Sequence, residues 1–192
     1  MKTINPAEYS EALYQVAVAA YETYPSSYRP NINHDLYVNA TKNSWSRYYK
    51  VYGAFSKDSN ALCGFIALYK KDGYIDFTMM KAMPSQEKNG VNAALVNGML
   101  DDNKDLLEQG YYICDGERSI QHETAFQNYL EKYFGFRKAY CILHIEYNPK
   151  YKAFMKLAYR FRGLLKLFNS IKPVHKLLLV LKMYELSKES IA

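Results

Sequence analysis

The spacing of apolar residues predicts helices near the start of the chain. Asn5-Pro6-Ala7-Glu8 is a typical helix start, in which Asn5 caps the first turn and Pro6 fits its first position. Apolar residues then recur at helical spacing, so we expect a first helix from Asn5 that ends before Pro25. A weaker pattern predicts a second helix over His34 to Ser44.

Three strands follow, because aromatic and β-branched residues cluster between turn signals. We expect these strands at Tyr48–Phe55, Leu62–Lys70 and Tyr74–Met80. The Asp72-Gly73 pair predicts a tight hairpin between the second and third strands, which makes them antiparallel. Pro84 ends this run of strands.

The next residues, up to 149, predict two helix–strand pairs. In chain order these are a helix from Gly90 to near Gly110, a strand at Tyr111–Cys114, a helix from Ser119 to Gly135 and a strand at Arg137–Tyr147. Hairpins followed by alternating helices and strands are typical of an α/β fold with a mixed, mostly antiparallel central sheet flanked by helices.

Charge divides the chain into two parts. The net charge is +6, yet the segment from Lys150 to the end contains ten Lys or Arg and two Glu, so it contributes +8 and residues 1–149 contribute −2. Leucines and aromatics at helical spacing alternate with these basic residues, and Pro173 marks a second helix start. We therefore expect a domain at 1–149 and a basic amphipathic helical tail at 150–192.

Three roles are open for this tail. Its apolar face packs on the domain or on a second subunit, as in a homodimer, or it lies on an anionic membrane surface. Binding to nucleic acid is the third role, but a basic helix alone has no base-reading pattern, so we expect no specific nucleic-acid partner.

Cysteine usage and the lack of a leader pattern indicate a cytoplasmic protein. If the tail lies on a membrane, the protein is peripheral to the inner face of that membrane. Cys63, Cys114 and Cys141 each lie in an apolar run without a C-x-x-C spacing, which favours reduced buried thiols. Glu8 and Glu11 interrupt the only apolar stretch near the N-terminus. No metal-ligand cluster, Ser/His/Asp order or Walker-type glycine loop is present in the sequence, and we expect no metal.

A strand, a turn and a helix at the centre of the chain point to a family. The turn Pro84–Asn92 opens a helix at Gly90, where free N–H groups attract an anion. Together with the hairpins that lead into Tyr74–Lys81 and the segment Asn128–Phe136, this order resembles the GNAT (GCN5-related N-acetyltransferase) superfamily. The resemblance covers roughly Asn5–Tyr147 and implies acetyl-CoA or another acyl-CoA as co-substrate.

The resemblance also implies which residues bind that co-substrate. The pyrophosphate is expected at the turn and the pantetheine arm along the strand before it, with the residues Met79, Met80, Lys81, Gln86, Lys88, Asn89, Gly90, Val91, Asn92 and Asn128. Gly90 matches the first glycine of the family turn. Glu87 stands where the family has Arg or Gln, and Asn92 where it has Gly or Ala. Without the family resemblance, Gly90 is an ordinary helix-start glycine and the two methionines are core residues.

Candidates for catalysis lie on the helix and strands around this turn. The resemblance implies that Tyr129 or Tyr133 protonates the leaving thiolate, although both also fit a core position on an amphipathic helix. For the base that accepts the amine proton, the candidates are Asp76, Asp115, Glu117 and His122.

We expect an N-acyltransferase that moves an acetyl group from acetyl-CoA to an amine, on a small molecule or peptide, in a ternary complex. The alternative is a GNAT-fold protein that has lost catalysis and binds a membrane surface or a protein partner through its basic tail.

Overall fold

A computed structural model describes residues 1–26, 29–115, 125–139, 145–146 and 148–189. The chain divides into two compact units, one of the described residues up to Gly135 and one of those from Phe136 onward. The helices and strands of the first unit are β1 (Lys2–Ile4), α1 (Ser10–Glu22), α2 (His34–Ala40), a π-helix (Thr41–Trp45), α3 (Ser46–Tyr48), β2 (Lys50–Phe55), β3 (Leu62–Lys70), β4 (Tyr74–Ala82), a 3₁₀-helix (Pro84–Asn89), α4 (Val91–Asp102), α5 (Lys104–Glu108), β5 (Tyr112–Cys114) and α6 (Ala125–Phe134).

The sheet has the order β1-β2-β3-β4-β5. The first four strands pair antiparallel, and β5 joins β4 in parallel. The hairpin between β3 and β4 turns at Gly73, whose φ of 76° is available to glycine at little cost. The predicted α/β fold with a mixed, mostly antiparallel sheet flanked by helices is therefore confirmed.

Helices cover both faces of the sheet. On one face Leu13, Val16 and Ala17 of α1 form a buried cluster with residues of β2 and β3, including Phe65. On the other face α4 lies close to β3, because Gly64 has no side chain. A Cβ atom at Gly64 would lie 3.1 Å from side-chain atoms of Leu95 and Val91 and 3.0 Å from the Lys81 carbonyl. Gly64 thereby fixes how closely α4 approaches the sheet.

Two predicted helix boundaries at the start of the chain are wrong. Helix α1 begins at Ser10 and not at Asn5, because the Asn5 side chain accepts a hydrogen bond from the Ala7 amide at 3.1 Å and forms a separate turn. The helix expected over 34–44 changes to π geometry at Thr41. The buried Thr41 hydroxyl donates to the carbonyl oxygens of Tyr37 and Val38, at 3.0 and 2.9 Å, and competes with the helical ladder there.

The single helix expected from Gly90 to Gly110 is also wrong, since it is divided at Asn103 into α4 and α5. The buried Asn103 side chain donates to the Met99 carbonyl at 2.7 Å, the oxygen that a continuous helix would bond to the Asn103 amide. Strand β1 was not predicted at all, as it has only three residues. The expected cap at Ser119 and most of the expected strand Arg137–Tyr147 lie outside the described residues.

The second unit is helical, with α7 (Pro149–Arg160), α8 (Arg162–Lys166) and α9 (Lys172–Glu189). Met155 and Ala158 of α7 are buried against Leu181 of α9. Arg162 of α8 donates to Glu185 of α9 at 3.3 Å. Of the helices that the structure describes, none is long and apolar enough to cross a bilayer.

A polar network ties the end of α4 to β2. The Tyr52 hydroxyl donates to Asp102 at 2.6 Å, Lys50 bonds the same Asp102 oxygen, and Asn103 donates to the Tyr52 hydroxyl at 3.1 Å. Burial and then the hydrogen bond to Asp102 raise the pKa of Tyr52, which keeps the phenol protonated as a donor. The hydrogen bonds from Lys50 and Tyr52 lower the pKa of Asp102, so the carboxylate stays ionised as the acceptor.

Tyr52→Phe is expected to lower the free energy of unfolding by about 1 to 2 kcal/mol, because the buried Asn103 amide loses an acceptor and Asp102 loses a donor. Urea unfolding measures the change. Tyr48→Phe is the control, since Tyr48 is 54% exposed, and a change within about 0.5 kcal/mol is expected there. Equal stability of Tyr52→Phe and the wild type would contradict this role of the network.

Candidate functional site

The strands β4 and β5, the last two in the described sheet, part after a short stretch of pairing. They pair only over Tyr74–Asp76 and Tyr112–Cys114, and Asp76 opposite Cys114 is the last pair. From Phe77 to Ala82, β4 continues with β3 on one side only, and no other described strand pairs with its second edge. Backbone amide and carbonyl groups of β4 are thus left along a gap, where an extended ligand can pair with them.

A β-bulge lies where the gap begins. Leu68 of β3 pairs with Phe77, whereas the preceding Ala67 pairs with Met79, so Thr78 is an extra residue in β4. Because Ile66 pairs with Met80, Phe77 and Met80 lie on one face and Met79 on the other. The bulge therefore changes the phase of alternation along β4 beside the gap.

The turn after β4 leads directly into α4. Its start is fixed by the Met83 amide, which donates to the Cys63 carbonyl of β3 at 2.7 Å. The 3₁₀-helix Pro84–Asn89 follows, and Gly90 then adopts the left-handed conformation with φ of 76° and ψ of 19°. A Cβ atom on Gly90 would meet no atom within 4 Å, so the space above this residue is open.

The N-terminus of α4 has no side-chain cap. Ala94 is the first amide bonded within the helix, to the Gly90 carbonyl at 2.9 Å, so the amides of Val91, Asn92 and Ala93 precede the helical ladder. These amides and the helix dipole form a site that favours an anion. Val91 itself is buried, which anchors this first turn to the sheet.

The structure brings most predicted co-substrate residues together. Gln86, Lys88, Asn89, Gly90, Val91 and Asn92 all lie on the turn and the first turn of α4, with Asn89 donating to Gln86 at 2.8 Å. Met80 and Lys81 lie on the open stretch of β4. Asn128 is exposed on α6, and no described contact joins it to the turn.

Two predicted side chains on β4 have other partners. Met79 packs against the core cluster of α1 and the sheet. The ammonium group of Lys81 lies 4.2 Å from the Tyr21 ring centroid and 5.1 Å from that of Tyr24, and it donates to the Tyr24 hydroxyl at 3.0 Å. At these two positions only the backbone remains to face the gap. The sequence signal for this contact was a pair of tyrosines three apart at the end of α1.

The two residues that differ from the family turn have different surroundings. Glu87 is exposed. The side-chain Oδ1 of Asn92 is buried and has no hydrogen-bond partner among the described residues. An unsatisfied buried acceptor is costly in free energy. A ligand that donates a hydrogen bond to Asn92, or a smaller side chain at this position, would remove that cost.

Tyr129 lies on α6 next to the open stretch of β4. Phe126 of the same helix contacts Phe77, the first residue of this open stretch, at 5.7 Å between ring centroids. Tyr129 stacks on Phe126 and contacts Tyr133 at 5.4 Å. Burial, and then the electrostatic effect of the neighbouring Tyr133, raise the pKa of Tyr129. Tyr133 is 62% exposed, so the packed Tyr129 is better placed to keep a proton for transfer.

Two carboxylates lie at the point where β4 and β5 separate. The Asp76 side chain is 16% exposed, with Oδ2 3.6 Å from the Lys71 ammonium and Oδ1 buried without a partner among the described residues. Asp115 directly follows β5, and burial raises the pKa of its carboxyl group to about 6. Both predicted candidates Glu117 and His122 lie outside the described residues. The described residues contain no group of three or more His, Cys, Asp or Glu that could bind a metal ion.

Comparison with solved structures identifies this arrangement. A ribosomal-protein-alanine N-acetyltransferase from Brucella melitensis biovar Abortus 2308 is similar with a TM-score of 0.55 and 9% identity, over 77% of this chain and 96% of that one. The aminoglycoside N-acetyltransferase AAC(6')-Iy, bound to a CoA bisubstrate analogue, is similar with a TM-score of 0.52 and 11% identity, over 77% and 96%. The chain has the GNAT fold.

A second structure of AAC(6')-Iy, with CoA, matches this GNAT fold with a TM-score of 0.52 and 11% identity, over 77% of this chain and 93% of that one. No family model and no curated protein sequence matches the chain. The likeness is therefore one of backbone arrangement, and the chemistry depends on this chain's own residues.

Asp115→Asn is expected to remove a pH dependence of stability. Because burial raises the folded-state pKa to about 6, the contribution of Asp115 is present below its ordinary value of 3.8 and is lost as the pH rises through about 6. The wild type should thus lose stability relative to Asp115→Asn over this window. Urea unfolding of both proteins at intervals from about pH 4 to pH 7 measures the difference, and parallel stability curves would contradict it.

Proposed function

We propose that this protein is an acyl-CoA-dependent N-acyltransferase, which transfers an acetyl or related acyl group to an amine in a ternary complex. The observation that supports it most is the open edge of β4, which runs into a left-handed Gly90 and the uncapped N-terminus of α4. One continuous path thus offers backbone partners for an extended amide-containing arm and then an anion site. AAC(6')-Iy, which has a similar backbone, has been crystallised with CoA.

The pyrophosphate of the co-substrate is proposed to bind the amides of Val91, Asn92 and Ala93. Lys88 and Gln86 on the preceding turn add a charge and a hydrogen-bonding amide. The pantetheine arm, which contains two amide groups, pairs along the backbone of Met79–Met83. This assignment requires little of the side chains there, which agrees with the packing of Met79 on the core cluster and the contacts of Lys81.

The transfer forms a bond between the acceptor nitrogen and the acyl carbon and breaks the bond between that carbon and sulfur. The amine proton passes to a carboxylate, and the thiolate that leaves accepts a proton from the Tyr129 hydroxyl. Of the described carboxylates, Asp115 is best suited as the base, because a pKa of about 6 is close to neutral pH. Asp76, with its unpartnered oxygen, is suited to bind the acceptor's ammonium group.

Binding of CoA is expected to raise the melting temperature. A ligand of the folded state at one hundred times its Kd stabilises by about 2.7 kcal/mol. Differential scanning fluorimetry with millimolar CoA, acetyl-CoA, a longer acyl-CoA and ADP measures this. ADP has the same pyrophosphate but no pantetheine arm, so CoA should give the larger shift if the edge of β4 is used. No shift with any of the acyl-CoAs would refute the proposal.

Gly90→Ala and Gly73→Ala form a matched pair for this test. Both glycines have φ of 76° and open space where a Cβ atom would lie, so each substitution should cost about 1 kcal/mol of stability through backbone strain alone. Only Gly90→Ala is expected to weaken CoA binding, which isothermal titration calorimetry resolves separately from stability. Equal Kd values in the two variants would remove Gly90 from the site.

The double change Glu87→Gln and Asn92→Gly is expected to strengthen CoA binding. It removes an acid beside the pyrophosphate site and a buried unsatisfied acceptor, and an exposed charge of this kind changes Kd by about two- to fivefold. Asp72→Asn, an equal charge change in the hairpin between β3 and β4, should leave Kd unchanged. Weaker binding in the double variant would show that the native pair contacts the ligand favourably.

A further inference from the structure

The second unit has an apolar surface that its own core does not use. The exposed large apolar side chains of α7, α8 and the residues just after them form this surface: Tyr151, Phe154, Leu157, Phe161, Leu164, Leu167, Phe168 and Ile171. Leu167 is 76% exposed and Phe154 is 55% exposed. We call this set the α7–α8 apolar face.

The helices of this unit already have a separate core. Met155 and Ala158 of α7 pack on Leu181, with Leu177 and Leu178 of α9 around them. On a helical projection, Phe154, Leu157 and Phe161 fall within about 60° of one another, to one side of the buried pair. The α7–α8 apolar face is therefore additional to the core, and folding of the helical unit does not account for it.

The charge around this face is predominantly positive, although Glu146 lies near Lys152 and Lys156, and Glu185 accepts from Arg162. Residues 148–184 contain nine Lys or Arg and no Asp or Glu. Lys152, Lys156 and Arg160 follow one another at a spacing of four on α7, and all three are exposed. Lys152 and Lys156 lie about 160° from Phe154 around α7, whereas Arg160 lies about 60° from Leu157, between the basic and the apolar sides. Long basic side chains thus extend beside and away from the apolar side of the helix.

We propose that the α7–α8 apolar face lies in the surface of an anionic lipid bilayer. In a membrane surface the acyl chains lie below the anionic headgroups. The aromatic and leucine side chains can enter the acyl region while the basic side chains contact the headgroups. A neutral apolar partner would complement the rings but not nine basic residues that outnumber the neighbouring acids Glu146 and Glu185. The helices are too short or too polar to span the bilayer in the described chain, which agrees with binding at the surface.

Vesicle flotation of the full-length protein tests this proposal. Neutral phosphatidylcholine vesicles are compared with vesicles that contain about one-third phosphatidylglycerol, and the anionic vesicles should bind at least about tenfold more protein. Raising the salt concentration to about 0.5 M should weaken this binding, because it screens the attraction to headgroups. Equal binding to both vesicle types, or no binding to either, would overturn the proposal.

Matched variants separate the apolar and the basic contributions. Phe154→Ser with Leu157→Ser and Phe161→Ser should lower binding by about tenfold or more, since three exposed side chains lose their burial in lipid. Leu167→Ser and Leu36→Ser compare single leucines that are 76% and 71% exposed, and only the first should weaken binding. Unchanged binding in the triple variant would overturn the proposal.

For the charges, Lys152→Gln with Lys156→Gln and Arg160→Gln should abolish the preference for anionic vesicles. Lys42→Gln with Arg47→Gln and Lys57→Gln removes the same charge from exposed positions of the first unit and should have no effect. Circular dichroism of each variant confirms that it is folded.

Sedimentation equilibrium examines the other occupant of the face, a second copy of the chain. The lipid proposal is refuted if the protein does not float with vesicles, forms a dimer, and the dimer dissociates when Phe154, Leu157 and Phe161 are changed to serine. The α7–α8 apolar face would then be assigned to self-association. CoA binding should be the same in all these variants, so failure here leaves the proposed acyl transfer untouched.

Discussion

The parting of β4 and β5 after Asp76 is the constraint on which the rest of the first unit depends. Two neighbouring strands that separate leave backbone groups without partners, and such groups are tolerated only where solvent or a ligand satisfies them. Three features lie around the gap: the bulge at Thr78 is where it begins, the turn after β4 leads into α4, and α6 contacts Phe77. The proposed path of the co-substrate follows directly from this geometry.

The stability of α4 is what makes its N-terminus usable as an anion site. Its first turn is held on the sheet by Val91 against Gly64, and its last turn by the network of Tyr52, Asp102 and Asn103. Both ends of the helix are thus fixed to neighbouring strands at β3 and β2. A helix fixed at both ends keeps its N-terminal amides in one place, which reduces the ordering cost when a ligand binds.

Much of the fold was predictable because its signals are local. Alternation and the Asp72-Gly73 pair located β3, β4 and their hairpin, and Gly90 located the start of α4. The errors arose where a side chain competes with the backbone, as Thr41 and Asn103 do, since the outcome depends on burial by distant residues. The position of the turn before α4 was predicted from sequence, and its role in binding a co-substrate stays a prediction. The burial of Asp115 and the two tyrosines around Lys81 depend on tertiary packing. The predicted roles of Tyr129 and Asp76 remain predictions.

The π-helix at Thr41–Trp45 and the bulge at Thr78 have one property in common, which is that each contains a single surplus residue. A protein of the same shape that lacks either irregularity has one position fewer at that point. Aligning such a protein to this chain needs a one-residue gap within a regular element, where alignment methods penalise gaps most. Without that gap, Phe77 is matched to a neighbour on the other face of the sheet and Trp45 to one about 100° away around its helix, so equivalent positions are compared with the wrong residues.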